Sequence, residues 1–390
     1  MAEESSQGSP PHGSPHSYPQ KVSKATPAFQ ESNSPLIEKI RAAIANQGPL
    51  PFRDFMAMVL YDPEYGYYTA RAQRVGKTGD FITSVSVGRC FGLILAHRLI
   101  SYWEEIGQPS EFHLIEPGGH DGALCADILL EIRNSAPKFF EGVHYHLIET
   151  TPSLIKEQQL RLGKQFAGKF TSHCSISELS GLTGAILSNE LVDAFPVDLI
   201  KFEHGKWWQL KVEEKNDTLQ FVNTECDDDQ LCDFCASLGD QFPDGYTTEY
   251  NPGIGVFVKE ASAALASGLF ITIDYGHESV DYYHPDRTNG TLQTYHKHQK
   301  SDDPLCFPGE IDITSHVDFT RLISAAEAEG FTHPSLKTQA SYLTNHARDW
   351  LISLETAPTA EFPALLRQFQ TLTHPAMLGS KFMVLEMQKR

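Results

Sequence analysis

From Phe112 onwards, short apolar segments that end in polar residues alternate with segments of helical periodicity. The four clearest strand candidates are Phe112–Glu116, Tyr145–Glu149, Gly184–Glu190 and Leu269–Tyr275. Strands that alternate with helices are typical of a parallel sheet whose crossover helices cover both faces. The sequence therefore predicts an α/β fold with a doubly wound sheet, in which ligands bind beyond the carboxyl ends of the strands.

Three parts of the chain differ in pattern. Residues 1–34 are rich in Ser, Pro, Gly and His and are predicted to be a disordered tail. Two helical patterns then predict an N-terminal helical segment within residues 35–110. The rest, 111–390, is the predicted main domain, with insertions at about residues 201–250 and 277–312. The first insertion is predicted to be a β-hairpin and helical region, and the second an irregular stretch.

A tyrosine-rich loop follows the second predicted helix. The segment Tyr61–Tyr68 places four tyrosines around one glycine. Tyrosine rings often cap a core while their hydroxyls reach water, and we favour this interpretation over a cage for a ligand.

Charge and cysteine content restrict the partners and the compartment. The chain has 31 Lys and Arg against 50 Asp and Glu, a formal charge of -19, and no basic cluster. It would repel nucleic acid, and it suits a basic peptide better. No segment approaches the roughly 18 continuous apolar residues of a spanning helix, so membrane insertion is not expected. Seven cysteines, without a secretory signal or an Arg-rich transit peptide, predict reduced thiols and the cytosol.

A glycine-rich turn follows the strand that ends at Glu116. Its glycines are Gly118, Gly119 and Gly122, and a helix begins directly afterwards. Such a turn lets backbone approach a nucleotide, although it also occurs in dinucleotide-binding enzymes and in plain packing. Glu149 ends the next strand, where a carboxylate can accept both ribose hydroxyls. Together these features favour an adenosyl ligand.

The acid before the glycines helps to choose the cofactor. A pyrophosphate needs free amides at a helix N-terminus, and the carboxylate of Glu116 would repel it. The same carboxylate suits the cationic methionine end of S-adenosylmethionine, which is the cofactor that we predict. The turn taken alone leaves an NAD-dependent oxidoreductase open.

Three polar residues end the later strand and make up the candidate catalytic group. They are Asn189, Glu190 and Asp193. Glu190 and Asp193 are three positions apart and could share one face of a helical turn, where two carboxylates would hold a guanidinium. An equally weighted alternative is that these acids only complement a helix dipole.

Other chemical signals are weak. Cys226, Cys232 and Cys235 include one Cys-x-x-Cys pair without a second pair, so we predict no metal site. The chain has no Gly-x-Ser-x-Gly elbow and no Walker-type phosphate loop, which disfavours hydrolase and kinase functions.

Several longer motifs occur in one order along the chain. They are Tyr65–Tyr68, Gly79–Ser84, Ser188–Pro196, Ile273–Gly276, Gly290–Tyr295 and Pro308–Thr314. In these motifs the chain resembles the MidA-like family of S-adenosylmethionine-dependent methyltransferases, over about residues 36–390. That family includes a respiratory complex I assembly factor that methylates an arginine of a respiratory-chain subunit.

The resemblance implies a class I methyltransferase (Rossmann-like) sheet beneath an N-terminal helical cover, which residues 35–110 would form. It also implies that a Gly-Asp-Phe segment of the cover encloses the cofactor, so Asp80, Thr83 and Ser84 become cofactor-side candidates. The acceptor that it implies is an arginine of a partner protein, such as a respiratory-chain subunit, and a homodimer is a further expectation.

Some positions depart from the family pattern. His120 occupies the middle glycine position of the turn, Pro117 precedes it, and Gln293 replaces a usual Arg. We therefore include His120 among the cofactor-side candidates. These departures keep open a cofactor-binding assembly factor with little or no turnover.

Overall fold

The computed structural model describes residues 34–70, 83–296, 299–356 and 360–390. Asp80 and nearly all of the predicted tail lie outside the described residues. None of the helices in the described ranges is long and apolar enough to cross a membrane.

The described residues form sixteen β-strands and fourteen α-helices. The strands are β1 (Leu50–Pro51), β2 (Phe112–Pro117), β3 (Val143–Ile148), β4 (Phe170–His173), β5 (Leu182–Asn189), β6 (Asp198–Glu203), β7 (Lys206–Lys215), β8 (Thr218–Thr224), β9 (Thr247–Tyr250), β10 (Leu265–His277), β11 (Gln293–His296), β12 (Gln299–Ser301), β13 (Asp312–Thr314), β14 (Val317–Asp318), β15 (Phe331–Thr338) and β16 (Phe382–Lys389). The helices are α1 (Ser34–Gln47), α2 (Phe52–Tyr61), α3 (Tyr67–Ala70), α4 (Ser84–Val87), α5 (Cys90–Glu105), α6 (Ala123–Ser135), α7 (Pro137–Gly142), α8 (Pro152–Leu162), α9 (Asp229–Leu238), α10 (Gly253–Ala264), α11 (Ser279–Tyr282), α12 (Phe319–Ala328), α13 (Gln339–Thr356) and α14 (Phe362–Thr373).

The main sheet has the order β4-β3-β2-β5-β10-β16-β15, and β14 pairs with the end of β10. The strands from β4 to β10 are parallel, whereas β16 runs antiparallel between β10 and β15. Chain order reverses between β2 and β5, so the crevice beside these two strands is the expected ligand site. The predicted α/β doubly wound sheet is confirmed, and one of its strands, β16, runs antiparallel to its neighbours.

Successive side chains along each strand point to opposite faces of this sheet, and a hydrophobic core lies on each face. In β2, Phe112 and Leu114 pack with helices α5 and α6, while Ile115 packs on the opposite face with residues of α10 and α12. Helix α5 falls within the predicted N-terminal cover, yet its buried residues belong to the core of the main sheet. This core fixes β2 and the turn that follows it.

The first insertion is larger than the predicted hairpin. It forms an antiparallel sheet of order β1-β7-β6-β9, with β8 beside β7, and it begins at Asp198 rather than near residue 201. Strand β1 comes from the N-terminal segment: Leu50 and Pro51 pair with Val212 and Lys211. The hairpin prediction missed this sheet because one of its strands is only two residues long and distant in the chain.

The second insertion is not irregular. It contains α11 and a small antiparallel sheet of order β12-β11-β13. The buried carboxylate of Glu249 accepts the backbone N–H groups of Thr291 (2.7 Å) and Leu292 (2.9 Å), immediately before β11. A buried acid of the first insertion therefore holds the start of the second.

Candidate active site

A cavity of about 1790 Å³ opens at the carboxyl ends of β2, β3, β5 and β10. Its lining includes most of the predicted site residues: Thr83, Glu116, Gly118, Gly119, His120, Glu149, Asn189, Glu190 and Asp193. Sites for single small molecules usually measure roughly 300–1,000 Å³. This cavity therefore has room for a cofactor together with part of a second molecule.

The glycine turn forms one wall of the cavity and needs its small residues. Gly118 and Gly122 have φ angles of +72° and +78°, a region that side chains disfavour. A Cβ atom on Gly119 would lie 2.5 Å from Cδ2 of Leu147. The amide of Gly118 donates to the carbonyl of Ile148 at 3.0 Å, which ties the turn to β3. Gly122 does not line the cavity, and it directs the chain into α6 instead.

His120 holds the position where the family pattern has glycine. Its φ angle is +42°, so a residue with a side chain adopts the left-handed conformation here. Its carbonyl accepts a hydrogen bond of 2.7 Å from Nε2 of the buried Gln158. The imidazole lies beside Asp121, with 3.8 Å between Nδ1 and Oδ1. The turn thus keeps its backbone path despite the larger residue.

Two acids of adjacent strands face the same wall. Glu116 is buried, and its Oε2 accepts a hydrogen bond of 2.6 Å from the Tyr145 hydroxyl. Burial raises the pKa of Glu116 to about 8, so a bound cation would be needed to stabilise its charge. Glu149 uses Oε1 to accept the amide of Thr151 at 2.8 Å. Its other oxygen forms no hydrogen bond within the described ranges.

Glu190 lines the same cavity as the glycine turn and has a left-handed conformation with φ +49°. Its Oε1 accepts the amide of Ser84 (3.0 Å) and Nδ2 of Asn189 (3.1 Å). The enclosed position and the nearby Asp193 raise the pKa of Glu190 to about 8. In the described part of the chain, Oδ1 of Asn189 is buried without a hydrogen-bond partner, as expected for a group that meets a ligand.

Of the three residues implied by the family resemblance, the two that the structure describes differ in placement. Thr83 lines the cavity and caps α4 by accepting the amide of Ser86. Ser84 is buried outside the lining, because its hydroxyl donates to Gln339 at 3.0 Å and its amide to Glu190. The cofactor-side role of Ser84 stays a prediction, and its backbone amide contacts Glu190 in the structure.

Asp274, at the end of β10, organises the candidate catalytic segment. Its Oδ2 accepts the amides of Leu191 (3.2 Å), Val192 (2.9 Å) and Asp193 (3.2 Å). Burial, and then the nearby Glu190 carboxylate, raise the pKa of Asp274 to about 7. Sequence reasoning did not select Asp274 as a site residue, although it is a polar residue that follows a buried apolar run.

Glu190 and Asp193 do not share a helical face as predicted. Only Val192–Ala194 form a short 3₁₀ turn, and Glu190 precedes it in a left-handed conformation. Both residues nevertheless line the cavity, because backbone hydrogen bonds hold the turn against the buried carboxylate of Asp274. The convergence was predicted, but its cause is a buried carboxylate and not helical spacing.

Within the described ranges, these acids form a cluster without an ion-pair partner. Among the described residues, no Lys, Arg or His forms an ion pair with Glu190, Asp193 or Asp274. Asp193 is buried, and burial with Asp274 and Asp312 nearby raises its pKa well above the usual range. Buried carboxylates without a counter-charge are unfavourable, and a cationic ligand would compensate them.

Tyr61 and Tyr68 line the cavity beside the cluster, with stacked rings 5.6 Å apart. The Tyr61 hydroxyl donates to the carbonyl of Ala194 (2.7 Å), and the Tyr68 hydroxyl donates to Oδ1 of Asp312 (2.8 Å). The expectation that these hydroxyls face water is therefore wrong. They face inward because two segments that are distant in the chain, at Ala194 and at Asp312, supply acceptors there.

Metal ligands do not cluster in this part of the molecule. Across the described ranges, no group of three or more His, Cys, Asp and Glu residues is placed to hold a metal ion. Cys226 and Cys235 lie 3.9 Å apart between sulfur atoms and are free thiols.

The model of one protein family matches residues 94–336, more than half of the chain. Its members are described as S-adenosyl-L-methionine-dependent methyltransferases. The chain belongs to this methyltransferase family. The cofactor is therefore S-adenosylmethionine, and the nicotinamide alternative is excluded. The structure fits this cofactor, because a glycine turn leaves room for it and Glu116 and Glu149 meet that space.

Curated relatives and solved structures agree with this family. The mitochondrial protein arginine methyltransferase of Drosophila melanogaster is 27% identical over 97% of this chain and 90% of its own length. The human mitochondrial protein arginine methyltransferase is 26% identical over 90% of this chain and 82% of its own length. A Burkholderia thailandensis protein bound to S-adenosylhomocysteine superposes with a TM-score of 0.81 and 27% identity, covering 91% of this chain and 92% of that one.

The comparisons correct one prediction. Reduced cysteines favoured the cytosol, yet these curated relatives are named as mitochondrial proteins. Reduced thiols are typical of more than one intracellular compartment, so cysteine content alone could not decide between them.

Proposed function

We propose that this methyltransferase transfers a methyl group to an arginine side chain of a partner protein. The observation that carries the proposal is the cluster of Glu190, Asp193 and Asp274 at the cavity, which forms no ion pair with any described residue. A guanidinium is always charged and offers five N–H donors in a plane, which suits several converging carboxylate oxygens. A neutral acceptor would leave these buried acids without compensation.

One side of the cavity is suited to hold the cofactor. The glycine turn gives backbone access, Glu116 would face the cationic methionine end, and Glu149 would accept the ribose hydroxyls. When bound, S-adenosylmethionine supplies an electrophilic methyl group on its sulfonium. The raised pKa of Glu116 means that its charge is best stabilised when a cation is present.

The other side is suited to orient the acceptor. Glu190 keeps one carboxylate oxygen for the ligand, since Ser84 and Asn189 occupy only Oε1. Asp193 approaches from the adjacent turn, and the tyrosine rings provide an apolar face for the planar guanidinium. Methylation would form a carbon–nitrogen bond and break the carbon–sulfur bond of the sulfonium, with S-adenosylhomocysteine as the leaving group, and one proton would then be removed from that nitrogen. Glu190, with a pKa of about 8, is suited to accept it.

The relatives support a narrower partner class and a compartment. Those named as protein arginine methyltransferases are mitochondrial, and they align over most of this chain. They support mitochondria as the place of action, and the family resemblance supports a respiratory-chain subunit as the acceptor.

The experiment is methyl transfer to protein. Purified enzyme, labelled S-adenosylmethionine and mitochondrial extract from cells that lack the enzyme are incubated, and the labelled protein is hydrolysed to amino acids. We expect the label in methylarginine, and we expect Glu190→Gln and Asp193→Asn to abolish it while S-adenosylhomocysteine still binds. Label in another amino acid, or none in any protein, would overturn the proposal.

A further inference from the structure

Exposed apolar side chains gather at the mouth of the cavity. Of the seven large hydrophobic side chains exposed in the described ranges, three line this cavity. They are Tyr61, Val256 and Met377, which are 40%, 61% and 46% exposed. Single exposed hydrophobic residues are ordinary, but their collection around one opening marks an interaction surface. We call Tyr61, Phe195, Val256 and Met377 the apolar rim.

One side of the rim is continuous and adjoins the acids. The Tyr61 hydroxyl donates to Ala194, the residue between Asp193 and Phe195. The ring of Phe195 packs edge-on against Phe257, with centroids 5.7 Å apart, and Phe257 follows Val256 on α10. An apolar strip therefore runs past the acidic cluster to the exposed end of this helix.

The other side of the rim comes from the opposite end of the chain. Met377 lies in the turn Pro375–Gly379, which leads into β16. In that strand Met383 also lines the cavity and pairs in register with Asp274. Thioether side chains are flexible and adapt to partners of varied shape. Apolar residues of the cavity lining therefore flank the acidic cluster on two sides.

We propose that the apolar rim docks an extended segment of the acceptor protein in which apolar side chains flank the arginine, an inference that rests on the proposed function. The pattern of the lining favours this combination: the acids take the guanidinium, and the four rim residues offer apolar contact to its neighbours. Apolar neighbours of the arginine lose their water against Val256 and Met377. A free guanidino metabolite would leave the rim uncovered.

Peptide binding tests the inference directly. The full chain, saturated with S-adenosylhomocysteine, is titrated in a calorimeter with acetyl-Gly-Leu-Gly-Arg-Gly-Leu-Gly-amide. A second peptide has Ser in place of both Leu residues, and a third has citrulline in place of Arg. We expect the Leu peptide to bind at least roughly 10-fold more tightly than the Ser peptide, as burial of even part of one Leu side chain provides.

Matched variants locate the contact. Val256→Gln and Met377→Gln should each reduce the preference for the Leu peptide and leave the Kd for S-adenosylhomocysteine unchanged. Val280→Gln is the control, because Val280 is 75% exposed and lies outside the cavity lining. It should leave the preference intact.

The outcomes separate the two proposals. Equal affinity for the Leu and Ser peptides, or no binding of any peptide, overturns the rim proposal. Equal affinity for the Arg and citrulline peptides, with a preserved preference for Leu, overturns arginine as the acceptor and leaves the rim standing.

Discussion

The carboxylate of Asp274 accepts the backbone N–H of Val192 at 2.9 Å, and the same oxygen also accepts the amides on either side of it. One buried acid therefore sets the path of the segment that carries both candidate catalytic carboxylates. Its effect on the acceptor is exerted through Glu190 and Asp193, so Asp274 is a positioning residue.

Replacement of Asp274 by Asn should lower kcat with little change in cofactor affinity. In the wild type, the N–H of Tyr275 donates to Oδ1 of Asp274 at 2.8 Å. In the variant, the side-chain amide of Asn would place its own N–H donors against that N–H, so the turn would shift. A displacement of about 1 Å can cost roughly 100-fold in rate. Asp274→Glu should not rescue the rate, because the longer side chain moves the acceptor oxygen.

The measurement is kcat beside the Kd for S-adenosylhomocysteine, with thermal melting to verify folding. Asp286→Asn is the matched control, since this side chain is 93% exposed. An unchanged kcat in a folded Asp274→Asn variant contradicts the positioning role.

The raised pKa of Glu190, about 8, predicts a pH dependence of activity. Below that pH the free enzyme holds Glu190 protonated, and a neutral carboxyl pairs poorly with a guanidinium. We expect kcat/KM to rise between about pH 6.5 and 8 and then to level. Glu190→Gln should remove this rise and lower the rate by about 100-fold or more. A wild-type profile that is flat over this range speaks against the role.

Stability of the ligand-free protein should fall as the pH rises from about 5 to about 8. The pKa values of Glu116 and Glu190 are raised to about 8 and that of Asp274 to about 7. The folded state therefore binds more protons than the unfolded state in this window, and unfolding releases them. The destabilisation is absent below the unfolded pKa values, near pH 4.

Melting curves across this window measure the effect. We expect the Tm to fall by at least about 3 °C between pH 5 and 8, and S-adenosylmethionine to reduce the fall by pairing with Glu116. Glu116→Gln should show a shallower fall. A Tm that rises steadily to pH 8 shows that these carboxyls ionise freely in the folded protein.

Glu149→Ala should weaken S-adenosylhomocysteine binding by roughly 10- to 100-fold. The carboxylate is a charged acceptor, and hydrogen bonds to charged groups contribute about 1.5–3 kcal/mol. Calorimetry measures the Kd, and Glu104→Ala serves as a control because Glu104 is exposed on α5. If the affinity falls by less than threefold, the ribose does not bind at Glu149.

His120→Gly should leave cofactor affinity within about threefold of the wild type. The left-handed φ of +42° suits glycine, and the interaction with Gln158 uses only the backbone carbonyl. Calorimetry with S-adenosylhomocysteine gives the answer. A loss greater than tenfold would mean that the imidazole itself contacts the cofactor.

Local patterns predicted the strands that support the cofactor wall. The strand predicted at Phe112–Glu116 extends to Pro117, and the helix after Gly122 begins at Ala123 as expected. Apolar runs and glycine turns are local signals, so short stretches of sequence contain them. The proximity of Glu116, Glu149 and Glu190 to one cavity followed from the rule that parallel strands end at one edge.

Long-range contacts were beyond such patterns. The two-residue strand β1 pairs with β7 across the chain, and Tyr68 finds its acceptor in Asp312. The direction of the tyrosine hydroxyls depends on that distant acid, which explains why the water-facing expectation failed. Asp274 accepts hydrogen bonds from three backbone amides that follow another strand, β5. No residue near Asp274 in the sequence indicates these contacts.

The pairing of Tyr68 with Asp312 has an evolutionary consequence. The proposed cofactor wall comes mostly from one continuous stretch, residues 112–149, whereas the proposed acceptor wall joins separate segments, two of which meet in this hydrogen bond. Divergence in the inserted sheets can thus alter which protein is methylated while the cofactor stretch stays intact. Paralogues of this fold can acquire new acceptors without losing their methyl donor.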